Sequence, residues 1–360
     1  MTSISLDIRP FTPADYDDVF DLYERAWPGD VTRRKTAFRW LHEGNPFSDP
    51  ERSYVLAYKG GRLAGYWGRM PMRFRHHGVP IDCVFAQEAL VDPAFRRQGI
   101  ARRLMEEATS APELYLSLWH NEKIVSLLQS SGWSSMGRYY PRKKIYRATA
   151  VLRWKLGNPC LARLLGFPAR LLLRDRHDRL EETETVTIES VDYFTAEMDA
   201  FFDRVAPEFA FIADRNSVTL NWRFSHIPHR TFQRFVARDR TNRTVRGYLV
   251  TEITDLPKEG LLRGDIVDFL VSPQDPSGWS ALLREADRCF RRRGVDFAVV
   301  LHTLPHYGAI ANSWRFRRTW KARPGNQLLF LDRREQVQRS EGHSYSQWFL
   351  TQGDSDGHLW

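Results

Sequence analysis

The apolar positions of this chain switch repeatedly between alternate residues and every third or fourth residue. Residues 3–13, SISLDIRPFTP, predict a strand running into a turn. From Asp15 to Trp27, Tyr16, Val19, Phe20, Leu22 and Tyr23 share one helical face. A second short helix is predicted over Lys35–His42, stopping before Asn45-Pro46, because a residue before proline leaves the helical region. Two β-type runs follow, SYVLAY and RLAGYWGRMPMRF, joined at Gly60-Gly61 as a tight hairpin. IDCVFAQEALV predicts the next strand. Ile100, Ala101, Leu104, Met105 and Ala108 then place a helix over Ile100–Ser110. ELYLSLW predicts a strand, and Asn121 to Ser131 a helix with Asn121 as N-cap and Gly132 as its stop. Strands around Met136 to Ala148 are expected to close this half.

Residues 151–182 are rich in Leu and Arg, broken by Pro159 and Pro168, and end in a charged run. They predict a connector helix packed between two domains; the other reading of a basic amphipathic stretch is a helix lying on a membrane. Beyond it the first half recurs. Trp40 precedes Gly65-Tyr66 by 25 residues, and Trp222 precedes Gly247-Tyr248 by the same interval. ALVDP around Val91 and Pro93 matches FLVSP around Val271 and Pro273, and Trp133 matches Trp314. Landmarks in one order at a nearly constant offset imply a tandem duplication. The expected organisation is an N-terminal domain over 1–148, a basic helical connector over 149–182 and a C-terminal copy over 183–360.

Composition narrows the class. A chain of 360 residues exceeds one ordinary core. The 53 Lys and Arg against 44 Asp and Glu leave a net charge of +9, which favours anionic partners. The basic residues are scattered, so no nucleic-acid partner is expected. Cys83, Cys160 and Cys289 share no CxxC spacing, which fits a reducing compartment without a disulfide framework or zinc site. His226/His229 and His302/His306 have ligand-like spacing but no adjoining Cys or carboxylate in sequence, so no metal is expected. The start MTSISLDIRP lacks a basic, then apolar, leader pattern, and no apolar run is long enough to span a bilayer. The expected setting is cytoplasmic, without stable membrane insertion, with a homodimer as one oligomeric expectation.

The densest candidate chemistry is FRRQGIA, residues 95–101. A helix N-terminus presents N–H groups without intrahelical acceptors and a partial positive charge. An anion placed there accepts those N–H groups. Gly99 leaves the backbone bare and Ala101 keeps the next turn uncluttered, while Arg96, Arg97 and Arg102 add charge. The pattern is a seat for a pyrophosphate, but it is neither GxGxxG nor GxxxxGK[ST], so a dinucleotide or ATP is disfavoured.

These residues resemble the GNAT superfamily of acyl-CoA-dependent N-acyltransferases. The family signature, a strand ending V-x-P and then [QR]-x-x-G-x-[GA] opening a helix, stands here as Val91-Asp92-Pro93 and Arg96-Arg97-Gln98-Gly99-Ile100-Ala101. A second motif stands as Asn121 to Gly132-Trp133, and the resemblance covers about residues 5–148. It implies an α/β (α+β) fold class: tandem GNAT folds, each a mixed, mostly antiparallel sheet flanked by helices. It also implies acetyl-CoA or another acyl-CoA as co-substrate, with Leu90 and Val91 pairing with the pantetheine arm. Arg96, Arg97, Gln98, Gly99, Ile100, Ala101 and Arg102 would hold the pyrophosphate, and Asn121 would face the cofactor. The implied activity is N-acetylation of a primary amine, on a small molecule or peptide, by direct attack in a ternary complex.

Taking the amine proton needs a base. Glu88 is the first candidate and His120 the second; Glu88 stands opposite Val91 by strand alternation unless a bulge shifts the phase. The family's tyrosine acid would fall at Leu128, so Tyr139 or Tyr140 is the candidate donor to the thiolate, or the thiolate leaves unaided. The second copy keeps the strand and proline but not R-x-x-G-x-A, and Pro276 and Trp279 crowd the seat. It is expected to be degenerate, packing on the first copy and shaping the acceptor pocket. Trp348, Phe349, Leu350 and Trp360 call for burial of the chain end, and Asp354 and Asp356 are candidates to face a cationic acceptor. Two other readings stay open: an aminoacyl-tRNA-dependent peptidyl transferase of the same fold, and a non-catalytic acyl-CoA sensor.

Overall fold

The computed structural model describes residues 5–49, 53–118, 122–172, 185–319, 326–334 and 344–355. The first half runs β1 (Leu6–Pro10), α1 (Tyr16–Ala26), α2 (Val31–His42), β2 (Tyr54–Lys59), β3 (Arg62–His76), β4 (Val79–Val91), α3 (Ile100–Ala108), β5 (Leu114–Ser117), α4 (Glu122–Ser130), β6 (Ser134–Arg138) and β7 (Arg142–Ile145). Helices α5 (Ala148–Leu156) and α6 (Pro159–Leu172) join the halves. The second half runs β8 (Val186–Val191), α7 (Glu197–Val205), β9 (Phe211–Ala213), α8 (Ser217–Phe224), β10 (Phe232–Asp239), β11 (Val245–Leu256), β12 (Leu261–Val271), α9 (Pro276–Arg292), β13 (Phe297–Val300), α10 (Pro305–Ser313), β14 (Arg317–Arg318), β15 (Gln327–Asp332) and β16 (Trp348–Phe349).

Local chemistry accounts for most boundaries. α2 starts a turn earlier than its pattern predicts. Val31 and Thr32 are poor helix formers, but Val31 is buried and Asp30 pairs with Arg34 one turn on (3.2 Å), so packing overrides propensity. Pro71 is tolerated inside β3 because β2 pairs that side only as far as Gly68 and β9 only from Phe74. A Cβ on Gly65 would lie 2.6 Å from Leu90 O, and one on Gly247 2.7 Å from Leu270 O. The two repeat glycines answer the same close approach in both copies.

One sheet has the order β1-β2-β3-β4-β5-β15-β6, with β9 against β3 and β16 against β9; the other has the order β14-β7-β13-β12-β11-β10-β8. Each is antiparallel except for the parallel pair β4–β5 in one and β12–β13 in the other, with β16–β9 as a parallel annex. The expected pairing of the strands around Met136 to Ala148 is corrected here. β6 stays in the first sheet, but β7 crosses into the second between β13 and β14. Reciprocally, β15 enters the first sheet between β5 and β6. β7 and β15 are equivalent strands of the two copies, so the halves exchange them.

One apolar core joins the copies. Met70, Met72, Phe74, Phe85 and Leu116 on the first sheet pack in the same cluster as Phe201, Phe202, Leu220, Leu270 and Phe349. Trp40 and Trp222, the repeat landmarks, stack on each other with ring centroids 4.7 Å apart. Each indole N–H donates to the other's carbonyl, at 3.0 and 3.2 Å. The connector is also corrected. α5 and α6 are helical as predicted but form a hairpin on each other, with much of their apolar surface exposed rather than buried between domains. Among the described residues no helix is long and apolar enough to cross a membrane.

A fragment of residues 1–148 lacks β15 and uncovers the shared core. It is expected to give no cooperative unfolding transition by near-UV circular dichroism, and a sharp transition would show that the first half folds alone.

Candidate functional site

The site begins where two strands part. β4 and β5 pair in parallel only through Cys83–Leu114, Val84–Tyr115 and Phe85–Leu116. At the next step the Ser117 hydroxyl, instead of a backbone N–H, donates to Ala86 O (3.3 Å). β4 continues to Val91 with β3 along one edge and, among the described residues, no strand partner along the other. Asp92 N–H donates to Ala64 O on the β3 side (2.9 Å). By alternation the N–H and C=O of Ala89 and Val91 face the open edge, while those of Leu90 face β3. The expectation for Leu90 and Val91 therefore narrows to Val91, with Ala89 as a second donor that sequence reading missed.

The open edge leads into a charged turn. Asp92 accepts the Ala94 N–H at 2.9 Å and pairs with Arg25 of α1 and Arg62 of β3 at 2.9 and 2.7 Å. Burial pushes its carboxyl upward, but the Ala94 N–H and the two guanidinium groups outweigh that and hold it below the usual range. Asp92 was legible only as part of V-D-P; an aspartate before a proline-led turn is also an N-cap signal. Ser117 carried no such signal. Arg97 and Gly99 both take positive φ, 63° and 76°. Space above Gly99 is open to 4 Å, so glycine is needed there for its backbone angle, and a ligand has room to approach.

The first bond of α3 runs from Arg103 N–H to Gly99 O (3.2 Å), and no side chain caps the N–H groups before it. Ile100 is buried and anchors the helix, while Arg96, Arg97, Gln98, Gly99 and Arg102 are exposed and Ala101 is half-buried. The Arg96 guanidinium reaches Val91 O (3.3 Å), Gln98 accepts from Lys59 (2.5 Å) and Arg102 donates to Ser130 (3.1 Å). An open strand edge, bare N–H groups and exposed arginines on one side of the fork fit a ligand with an amide-bearing arm and a pyrophosphate.

Residues 7–111 match the sequence family described as acetyltransferase (GNAT) domain. Over these residues the chain is similar to GNAT domains. An uncharacterized protein of Mycobacterium leprae is 30% identical over 141 residues, which span 37% of this chain and 37% of that protein. Among solved structures, a GCN5-related N-acetyltransferase from Anabaena variabilis is similar with a TM-score of 0.60, 11% identity, and 91% of this chain and 73% of that one covered. A tandem GNAT protein from the clavulanic acid biosynthesis pathway gives 0.51 and 11%, covering 92% and 100%. Saccharomyces cerevisiae N-myristoyltransferase with bound myristoyl-CoA gives 0.52 and 13%, covering 92% and 83%. These likenesses show the fold alone, two units in tandem, each with a mixed sheet flanked by helices as in GNAT folds.

The second GNAT unit has the same fork with the opposite fate. β12 and β13 part after Ile266–Val300, and a bulge near Val267 repeats the one near Gln87. Here the N-terminus of α9 is capped by Asp275, which accepts the Gly278 N–H (2.9 Å) and is held by Arg246 (2.5 Å). Trp279 is buried against Phe269, with ring centroids 4.1 Å apart. The segment 348–354 lies across the fork. His302 bridges Thr351, Thr303 donates to Trp348 O, and the Thr351 hydroxyl donates to Asp268 (2.7 Å). Asp354, expected to face a cationic acceptor, is instead buried in an ion pair with Arg215 (2.7 Å); Asp356 and Trp360 lie outside the described residues.

Among the described residues the catalytic candidates do not converge. Glu88 stands in the bulge, opposite Gly68 together with Gln87, and reaches Tyr23 in the cluster that holds Leu90, so it stays on the face away from Val91. It accepts from Arg34 (2.8 Å) and from the Tyr23 hydroxyl (3.2 Å). Burial, with the Glu88 charge second, pushes the Tyr23 and Tyr66 phenols well above their usual range, so both stay neutral donors. The pair recurs as Asp268 with Arg215 (3.1 Å), 180 and 181 residues on, in the unit whose fork is filled. Tyr139 is 1% exposed inside the shared core, Tyr140 lies under Arg318 (3.9 Å), and Leu128 is buried beneath α3. His120 and Asn121 lie outside the described residues. Among the described residues no three His, Cys, Asp or Glu gather as a metal site.

Asp92→Asn is expected to cost about 1–3 kcal/mol at neutral pH, read by chemical denaturation. Because the folded carboxyl is held low, its stabilisation is full above the ordinary carboxylate range and drains as pH falls. The gap between wild type and variant should therefore narrow below about pH 4.

Proposed function

We propose that this protein is an acyl-CoA-dependent N-acyltransferase with one working site, in its first GNAT unit, and that it transfers an acetyl group to a primary amine. The observation that carries the reading is the contrast between two equivalent forks. One has an open strand edge and an uncapped helix end ringed by arginines; the other is capped by Asp275 and filled by residues 348–354. The Val91 and Ala89 N–H groups stand where a thioester arm lying along β4 would need donors, and an N–H aimed at a developing oxyanion is worth about 10²–10³ in rate. The N–H groups of Ile100 to Arg102, with Arg96, Arg97 and Arg102, hold the pyrophosphate. Amine attack in a ternary complex releases a thiolate, and with Tyr139 buried and leucine at position 128 that thiolate leaves unaided, its thiol having a pKa of about 8.5.

In this reading Glu88 positions rather than transfers. A carboxylate already bound by Arg34 and Tyr23, and repeated as Asp268–Arg215 where no site remains open, ties the strand bulge to the helix layer. Proton uptake then falls to His120 among the candidates. Longer acyl donors are the alternative that the myristoyltransferase likeness supports, and the sensor reading draws on the lack of a tyrosine at 128.

Calorimetric titration with acetyl-CoA is expected to show Gly99→Glu/Arg96→Ala weakening binding at least about tenfold, since one charge-assisted contact is lost and a repelling carboxylate is placed at the helix entrance. Unchanged affinity would remove the site. Thiol release with acetyl-CoA, longer acyl-CoAs and a panel of amines then separates transferase from sensor, because a sensor releases nothing above the blank. Glu88→Gln should lower kcat/KM less than about tenfold with an unshifted pH profile; a base would cost about 10²–10⁴.

A further inference from the structure

The helical hairpin α5–α6 has a surface that the transferase reading does not use. Asn158 caps α6 by accepting the Cys160 and Leu161 N–H groups (3.0 and 3.1 Å), and Gly157 turns the chain with φ 63°. The helices pack closely at Val151, Ala162 and Gly166, where a Cβ would fall 2.3 Å from the Thr149 hydroxyl. Trp154, Leu156, Leu161, Leu164, Leu165 and Phe167 are left exposed, with Leu164 and Phe167 at 71% and 72%. Of the nine large apolar side chains exposed among the described residues, these are six, so the apolar surface is concentrated rather than scattered.

Charge accompanies it. The sequence from 148 to 172 contains no Asp or Glu, while Arg153, Lys155 and Arg163 are exposed beside the apolar residues. At the base of the hairpin lies a cleft of about 460 Å³, lined by Arg147, Arg153 and Arg163 together with Thr149, Ala162 and Gly260. Arg147 is neutralised by Asp296 (2.6 Å), but among the described residues Arg153 and Arg163 meet no carboxylate. A second copy of the chain docked two-fold on this face would bring like charges together. A bilayer bearing anionic lipid matches both features, taking apolar side chains below its headgroups and arginines among its phosphates.

We propose that α5–α6 is a docking surface for an anionic phospholipid bilayer, with the Arg153–Arg163 cleft receiving a lipid phosphate. The apolar tips enter only the interface, and the two GNAT units stay outside it.

The test is co-sedimentation of the full chain with phosphatidylcholine vesicles, with and without phosphatidylglycerol. Binding is expected only with phosphatidylglycerol and should weaken as salt rises. Leu164→Glu/Phe167→Glu and Arg153→Glu/Arg163→Glu should each cut partitioning at least about tenfold. Their unfolding midpoints and acetyl-CoA binding should match wild type, since these side chains face solvent. No binding to anionic vesicles, equal binding without phosphatidylglycerol, or binding unaffected by either variant would overturn the proposal. Self-association of the wild type by light scattering, lost in Leu164→Glu/Phe167→Glu, would assign the face to a second copy instead.

Discussion

β15 lies between β5 and β6, and β7 lies between β13 and β14, so each sheet of this protein is completed by a strand from the other half. A strand edge carries a row of N–H and C=O groups that must find partners, and here the partner on each side belongs to the other copy. The reciprocal Trp40–Trp222 contact follows the same approximate two-fold relation, residue i meeting j and j meeting i. Withdrawing one half would remove the strand that joins the last strand to the rest of the other sheet and open the shared core. The tandem arrangement is therefore a single folding unit, and the site in the first GNAT unit rests on residues more than 200 positions away.

That constraint gives the second unit a structural role. Its sheet holds β7, its helices cover the inner face of the first sheet, and residues 348–354 fill its fork. The buried carboxylate–arginine pair shows the same division of labour. Glu88–Arg34 and Asp268–Arg215 both tie a bulged strand to the helix layer, although only one fork is open. What differs is the helix end beyond each fork, where Asp275 caps α9 while no side chain caps the entrance of α3.

Much of this was legible along the chain. The strand and helix order of the first half, the duplication, and the uncapped helix entrance beside Arg96 to Arg102 depend on local signals: period, glycine, proline and capping residues. The glycines at 65 and 247 marked the repeat because each faces the same close strand approach in its own copy. Glu88 was less legible, since a carboxylate on a strand reads alike as base or brace until Arg34 and Tyr23 are seen beside it. Tyr139 looked available just past a strand end, yet the second copy buries it.

Sequence by itself determined the elements, the tandem copies and which copy keeps a bare helix entrance, because those follow from neighbours within a few residues. Only the tertiary structure decided that the last strand of each copy is exchanged, that the chain end fills the second fork, that Asp354 is buried against Arg215 and that the connector keeps its apolar face outward. Each of these is a choice among partners distant in the chain. Periodicity marks a side chain for burial or a strand for pairing, but it does not name the surface that will receive it.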